Sequence, residues 1–295
     1  ALRARGPARA YGWIAATGVL TGLAALAHEN AILNVIPFGI AAWLAVRRGG
    51  RGGRGARPGL RALSGPAVLL ALTCLMISPW TIRNAVQLHT FIPISDETGI
   101  TLAGTYNPRS ANDPHLPFKW HLFSHVRALH YLAPRSNSET EPQLSHQLTS
   151  EAFSYITAHP LAPIAASFDN TLRMFELEGT YAWQASTAAL NIHDPWPSIG
   201  VYSFYVLCLV AIAGLFTRRV RRAPWWLWLI PILWWISVVP INVETPRFRE
   251  PIDPFFVLLA ACAVATAVDW LWLRGTPVRG RRRATELAPD KAELV

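Results

Sequence analysis

Three arginines stand beside apolar runs of the sequence, outside the Arg-rich segments that join most of those runs. Arg83 closes the third apolar run, and Arg247 and Arg249 lie between the last two. A guanidinium group is planar and binds phosphate oxygens two at a time. We therefore expect Arg83, Arg247 and Arg249 to bind a lipid phosphate. The alternative is an ordinary headgroup contact or a pair with a nearby carboxylate: Glu244, Glu250 or Asp253.

A second set of polar residues could line a cavity for an acceptor. A carboxylate beside an amide or an imidazole can orient a hydroxyl group or hold a metal ion, although such residues are also common in ordinary turns. The candidates are His28, Glu29 and Asn30, which separate the first two apolar runs, and Asp96, Glu97 and Asn107, which follow the third.

Three histidines, His121, His125 and His130, raise the question of a metal site. The first two would share one face of a helix, but a metal site of this kind needs further ligands and partners that orient them. The sequence shows neither, so we predict no metal ligands among these residues. The need for a divalent cation as cofactor stays open.

The composition indicates a membrane protein. Of the 295 residues 52% are hydrophobic and 15% are charged, whereas a soluble domain has about 25% charged residues. The net charge of +9 comes from Arg-rich segments between apolar runs, as the positive-inside rule predicts for cytoplasmic loops. We therefore expect membrane lipids as partners and no nucleic acid.

Six apolar runs are candidates for membrane spans, which predicts an all-α integral membrane protein. The first two runs are short for the ~20 residues that cross a bilayer, so their ends should extend into the flanking residues. With six spans all four Arg-rich segments fall on the cytoplasmic side of a bacterial-type plasma membrane. The six runs are residues 11–27, 31–46, 66–82, 199–217, 224–241 and 251–273.

These spans divide the chain into four parts. Residues 1–85 hold three spans and an Arg/Gly-rich cytoplasmic loop at 47–63, and residues 199–273 hold the other three. Residues 86–198 form an extracytoplasmic loop domain, because this stretch is too polar to cross a membrane and too long for a simple connection. Residues 274–295 form a cytoplasmic tail.

The loop domain has its own pattern of secondary structure. A capping box at Ser138–Glu141 predicts a helix over about 140–158, with Leu144, Leu148, Ala152 and Ile156 on one stripe. A second helix from about Pro163 carries Ile164, Phe168, Leu172 and Phe175 at helical spacing. These helices are expected to pack on each other, with the outer membrane surface as the alternative. The alternation in residues 91–105 indicates a short hairpin.

Four stretches, in order, resemble multi-span glycosyltransferases of the C-type fold, the group that includes protein O-mannosyltransferases and aminoarabinose transferases. The longest is Ser78-Pro-Trp-Thr-Ile-Arg-Asn84 with Phe91-Ile-Pro-Ile-Ser95 and Gly104-Thr-Tyr-Asn-Pro108. The others are residues 22–31, 151–160 and 245–254. The resemblance covers most of the chain. One departure is His28-Glu29, which stands where the family usually has Arg-Pro.

The resemblance implies a hexosyl or pentosyl transferase of the cell envelope. Its donor would be a polyprenyl-phosphate sugar and its acceptor a protein, a lipid or a glycan, on the extracytoplasmic side. In this family the acidic general base lies in the first external loop, which implies a position before residue 1. We therefore expect the catalytic residue itself to lie outside this sequence, and these 295 residues to be inactive alone.

Two other functions remain open from the sequence. A transporter or lipid flippase tends to have charged residues in mid-span and paired repeats, and neither is visible here. A non-catalytic membrane scaffold, with a loop domain that binds a partner, is the third possibility.

Overall fold

The computed structural model describes residues 7–49, 61–188, 192, 195–241, 243 and 246–275. All regular structure in this part of the chain is helical, with no β-strand. Six short 3₁₀ turns connect longer elements, at Glu29–Asn34, Phe123–His125, Arg127–Leu132, Pro134–Asn137, Trp225–Trp228 and Pro246–Arg249. The α-helices are α1 (Pro7–Ala27), α2 (Val35–Gly49), α3 (Ser64–Leu88), α4 (Thr98–Thr105), α5 (Pro108–Ala111), α6 (Glu141–Ala158), α7 (Ala162–Met174), α8 (Thr180–Ala188), α9 (Trp196–Leu215), α10 (Arg218–Arg221), α11 (Leu229–Val238) and α12 (Asp253–Gly275).

Five of the six predicted spans are long and apolar enough to cross a membrane. They are Ala8–Ala27, Glu29–Arg48, Ser64–Leu88, Trp196–Leu215 and Asp253–Trp272. The first two reach 20 residues each, which confirms that their ends extend beyond the apolar runs. Five such helices indicate a multi-pass membrane protein.

The remaining predicted span, 224–241, contains a shorter apolar helix, Trp225–Val238. Its first turn is a 3₁₀ turn and only Leu229–Val238 is α-helical. Pro231 supplies no N–H for the helix ladder, which explains the late start of the α-helical hydrogen bonds. The helical stretch is about 23 Å long, against a hydrocarbon core of about 30 Å.

The described residues divide into two compact units. The first comprises the chain up to Tyr202 together with Pro224–Pro254, and the second comprises Ser203–Ala223 and the chain from Phe255 onward. In the second unit, a Cβ added to Gly214 would lie 2.0 Å from the Leu259 carbonyl oxygen, so these helices touch through their backbones. Asp269, at the far end of α12, accepts a hydrogen bond of 2.6 Å from Arg219.

In the first unit α1 and α3 pack closely through small residues. A Cβ added to Gly18 would lie 2.6 Å from the Leu69 carbonyl oxygen. The buried Thr73 hydroxyl donates to the Gly18 carbonyl at 3.0 Å. Small residues of this kind allow backbones to approach each other in membrane helix pairs.

The part of the chain after α3 has a hydrophobic core of its own. Leu144, Leu148 and Ala152 on α6 are buried in it, as their predicted stripe requires, with Leu129 and Leu132 from a 3₁₀ turn. Helix α6 begins at Glu141 and ends at Ala158, within one residue of the prediction. The capping box lies two residues later than predicted, with the Thr140 N–H donating to Gln143 Oε1 at 3.1 Å.

The predicted hairpin at 91–105 is wrong. Residues 98–105 form helix α4 instead, and Gly99 rests directly on α6, where a Cβ would lie 2.1 Å from the Ser145 carbonyl oxygen. The preceding residues pair with side chains of α3 and have no partner strand in the described chain. The Ile94 carbonyl accepts from Trp80 Nε1 at 2.8 Å, and the Pro93 carbonyl accepts from the Thr81 hydroxyl at 2.8 Å. The side chains of α3 thus donate hydrogen bonds to this segment that a second strand would donate in a hairpin.

Candidate functional site

A cavity of about 950 Å³ lies within the first unit. Its volume is at the upper end of the ~300–1,000 Å³ typical of ligand sites. Its lining comes from the turn after α1, the second half of α3, the segment 92–101, the end of α11 and the turn before α12, with Trp120 and Glu141 completing it. Seven of the nine predicted site residues line this cavity: His28, Glu29, Asn30, Arg83, Asp96, Glu97 and Arg247.

One side of the cavity is built by α3 and the segment that it binds. Asn84 is 3% exposed and its Nδ2 donates to the Ile92 carbonyl at 3.2 Å, which holds the segment against the helix. Arg83 Nη1 donates to Asn84 Oδ1 at 3.1 Å, and the guanidinium carbon lies 5.0 Å from the centroid of the Trp80 ring. These two contacts place the charge of Arg83 at the cavity.

Asp96 and Glu97 lie where this segment turns into α4. The Asp96 carbonyl accepts from the Ser145 hydroxyl of α6 at 2.9 Å, which anchors the backbone of the turn. The carboxylate oxygen Oδ2 of Asp96 is buried and receives no hydrogen bond from the described residues. Helix α4 also contacts the backbone of α6 at Gly99. The turn that carries both carboxylates is therefore held against α6.

The other two lining turns are joined by one buried tryptophan of α11. Trp234 is 6% exposed, and its ring centroid lies 4.7 Å from that of His28 in an edge-on arrangement. Its Nε1 donates to the Phe248 carbonyl at 2.8 Å, next to Arg247. Arg247 itself is exposed, with its guanidinium carbon 5.2 Å from the centroid of the Phe248 ring. The sequence did not single out Trp234, because many tryptophans flank the apolar runs.

The described lining carries more negative than positive charge. Arg83 and Arg247 face five carboxylates: Glu29, Asp96, Glu97, Glu141 and Glu250. An anionic group would therefore bind beside the arginines, because the carboxylates elsewhere in the lining would repel it. The carboxylates can accept hydrogen bonds from hydroxyl or amino groups. The lining can therefore bind an anionic group at its arginines and hydrogen-bond donors at its carboxylates.

Two predicted site residues lie elsewhere. Arg249 Nε donates to Asp253 Oδ1 at 2.8 Å, and its Nη1 donates to the Met174 carbonyl at 2.9 Å, so this arginine fixes the turn before α12. Asn107 is 1% exposed and caps α5, accepting from the Ser110 N–H at 2.9 Å. Its neighbour Tyr106 donates to the Pro240 carbonyl, and burial raises the pKa of Tyr106 to about 12.

The predicted absence of a metal site is not decided by the structure. No three His, Cys, Asp or Glu side chains of the described residues are arranged to hold a metal ion. His121 Nε2 lies 3.6 Å from Asp113 Oδ2, and burial, with the charge of Arg109, lowers the pKa of His121.

A buried ion pair holds α7 to distant parts of the first unit. Arg173 is 2% exposed and binds Glu178 with two hydrogen bonds of 2.9 Å. Its remaining donors reach the Pro117 carbonyl at 2.8 Å and the Val243 carbonyl at 3.2 Å. Asn170, one turn earlier, donates to the Val239 carbonyl at 2.8 Å. The network therefore joins α7, the segment before His121 and the end of α11.

Glu176 lies beside this network and gives a pH-dependent prediction. Burial raises the pKa of Glu176 to about 7, with Glu178 adding to the shift and Arg249 opposing it. The folded state then binds the proton more tightly than the unfolded state, in which the pKa of this carboxyl is 4.5. This contribution to stability is present below pH ~4.5 and is lost as the pH rises to ~7.

We expect Glu176→Gln, which keeps the protonated shape, to raise the melting temperature at pH 8 and to leave it unchanged near pH 4.5. Thermal unfolding in detergent across this range measures the difference. A constant difference at both pH values would contradict the assignment.

Comparison with family models, with curated proteins and with solved structures finds no match to the chain. The fold itself indicates a class of protein: a multi-pass membrane protein, helical throughout the described residues, with a cavity of mixed polar and apolar lining in its first unit.

Proposed function

We propose that the chain belongs to a membrane glycosyltransferase that takes its sugar from a polyprenyl-phosphate carrier. The acceptor, a protein, a lipid or a glycan, would react on the extracytoplasmic side. Support comes from the sequence resemblance to C-type glycosyltransferases, from the membrane class, and above all from the cavity. The reaction is inferred from the resemblance, and its location is inferred from the cavity.

The observation that carries the proposal is the convergence of Arg83 and Arg247 on one cavity. These residues are 164 positions apart in sequence, yet they line the same space, together with the five carboxylates of the lining. In the proposed reaction a nucleophilic group of the acceptor bonds to the anomeric carbon of the sugar as the bond between the sugar and the carrier phosphate breaks. The proton of that group passes to a general base, which we do not assign among the described residues. The phosphate leaves with the electron pair, and the two guanidinium groups stabilise its charge.

The proposal also needs a topology with six spans. If Trp225–Val238 crosses the membrane with its flanking residues, the Arg-rich segments at 47–61, 218–222 and 274–283 share the cytoplasmic side. Residues 86–198 and the Arg247 turn then share the extracytoplasmic side. The 23 Å helical stretch would cross by drawing in the flanking turns or by local thinning of the bilayer.

Transfer of radiolabelled sugar from a polyprenyl phosphate tests the function. Membranes from cells with and without the whole transferase to which the chain is proposed to belong would be incubated with the labelled carrier, and the carrier and acceptor fractions separated. A glycosyltransferase moves label out of the carrier fraction only where the protein is present. Label that stays on an intact carrier but changes leaflet would instead support a flippase, and no difference between the membranes would contradict both.

A further inference from the structure

Helix α7 has an arrangement opposite to that of a helix in a soluble domain. Its exposed stripe is apolar: Ile164 and Phe168 are 68% and 64% exposed, and Leu161, just before the helix, is 73% exposed. These residues recur at intervals of three and four, so they form one stripe along the helix. Helices α6 and α7 do share one core, to which α7 contributes Ala162 and Ala166, while the stripe that was expected to make this contact stays exposed.

The buried face of α7 carries two polar residues. Asn170 is 0% exposed and Arg173 is 2% exposed, and alanines at 162 and 166 complete the face. These four positions also recur at helical spacing, on the side of the helix away from Ile164 and Phe168. The helix is thus held by hydrogen bonds and an ion pair, and its large apolar side chains are left outside.

The partners of the polar face show where α7 lies. Asn170 Nδ2 donates to the carbonyl of Val239, the first residue after α11, and Arg173 reaches the Val243 carbonyl. Helix α11 is one of the most apolar in the chain, and Ile232 and Ile236 on it are 47% and 51% exposed. Helix α7 is therefore fixed at the end of an apolar, outward-facing helix of the same unit.

We propose that α7 lies at the surface of the bilayer, with Leu161, Ile164 and Phe168 inserted at the boundary between headgroups and acyl chains. An apolar stripe in water beside the end of an apolar helix would be costly, whereas the boundary between headgroups and acyl chains accepts such a stripe. The polar face then needs no water, because its hydrogen bonds are made within the protein. This inference rests on the membrane class and does not depend on sugar transfer.

Spin labels test the position of the stripe. The variants Ile164→Cys and Phe168→Cys would be made without Cys74, Cys208 and Cys262, labelled with a nitroxide, and reconstituted in vesicles of phosphatidylethanolamine and phosphatidylglycerol. Ala128→Cys, on an exposed turn that carries Arg127, is the control. Collision rates with oxygen, which dissolves in lipid, and with a water-soluble nickel chelate would be compared by electron paramagnetic resonance.

We expect the labels at 164 and 168 to collide readily with oxygen and at least several-fold less with nickel than the label at 128. Nickel collisions equal to those of the control would place the stripe in water and overturn the proposal. Low collision rates with both reagents would indicate contact with another protein molecule and would also overturn it. Because both side chains are exposed, their replacement should leave the fold intact, and the use of two positions guards against one uninformative label.

Discussion

Replacing Arg247 with alanine is expected to weaken the binding of polyprenyl phosphate by about 10- to 100-fold, the usual effect of losing hydrogen bonds to a charged group. Arg83 would remain, but the five carboxylates of the lining would then face the phosphate with one guanidinium instead of two. Arg247→Lys should recover only part of the loss, because a lysine keeps the charge and lacks the planar fork. Binding to protein in lipid nanodiscs is the measurement, since it does not require catalysis.

Arg127→Ala is the matched control for Arg247. Arg127 is exposed and lies outside the cavity lining, so its removal changes the net charge equally without changing the site. A polyprenol without phosphate should bind Arg247→Ala and the unchanged protein alike. If Arg127→Ala weakened binding as much as Arg247→Ala, the effect would come from overall charge, and Arg247 would have no specific role in the site.

Arg173→Met is expected to lower the free energy of unfolding of the first unit by about 3–5 kcal/mol, the usual cost of removing one partner of a buried ion pair. The substitution leaves Glu178, whose side chain is 8% exposed, without its cation. It also removes the bonds to the Pro117 and Val243 carbonyls. Pulse proteolysis in detergent, with increasing urea, measures the change.

A double-mutant cycle separates the ion pair from the carbonyl bonds. In Arg173→Met/Glu178→Met no buried charge is left alone, so much of the lost stability should return. Arg135→Met is a control, because the side chains of Arg135 and Glu139 are 47% and 24% exposed, well above those of the buried pair, so their ion pair should contribute less. Additive effects of Arg173→Met and Glu178→Met would show that the two side chains are not coupled.

Local patterns were enough to predict most helices. The apolar runs predicted five long helices, and the stripe of Leu144, Leu148 and Ala152 predicted α6 with its C-terminal end at Ala158. These patterns involve residues that are close together in the sequence, so they can be recognised without knowing the fold. The exception near residue 98 also has a clear cause. Alternation in the segment 91–105 resembled a hairpin, but Gly99 allows α4 to contact the backbone of α6, and that contact joins residues far apart in sequence.

The site could be predicted only in part, because its contacts are long-range. Residue types alone pointed to Arg83 and Arg247, but they did not distinguish Arg247 from Arg249. Arg249 lies outside the cavity lining and binds Asp253 and the Met174 carbonyl instead. Asn107 looked like a cavity residue and serves as a helix cap. The role of Arg173 had no local signal, since its partners Pro117 and Val243 lie 56 and 70 residues away.

Trp234 connects two lining turns of the cavity to helix α11. One indole contacts His28 at one rim and binds the Phe248 carbonyl at the other, while its own helix has an apolar length below the bilayer thickness. A helix that is too short for its membrane responds to thicker lipid by shifting or tilting. If α11 spans the bilayer, a shift of Trp234 would act on His28 and on the Phe248 carbonyl together. We then expect the acyl-chain length of the surrounding lipid to change ligand affinity at the cavity.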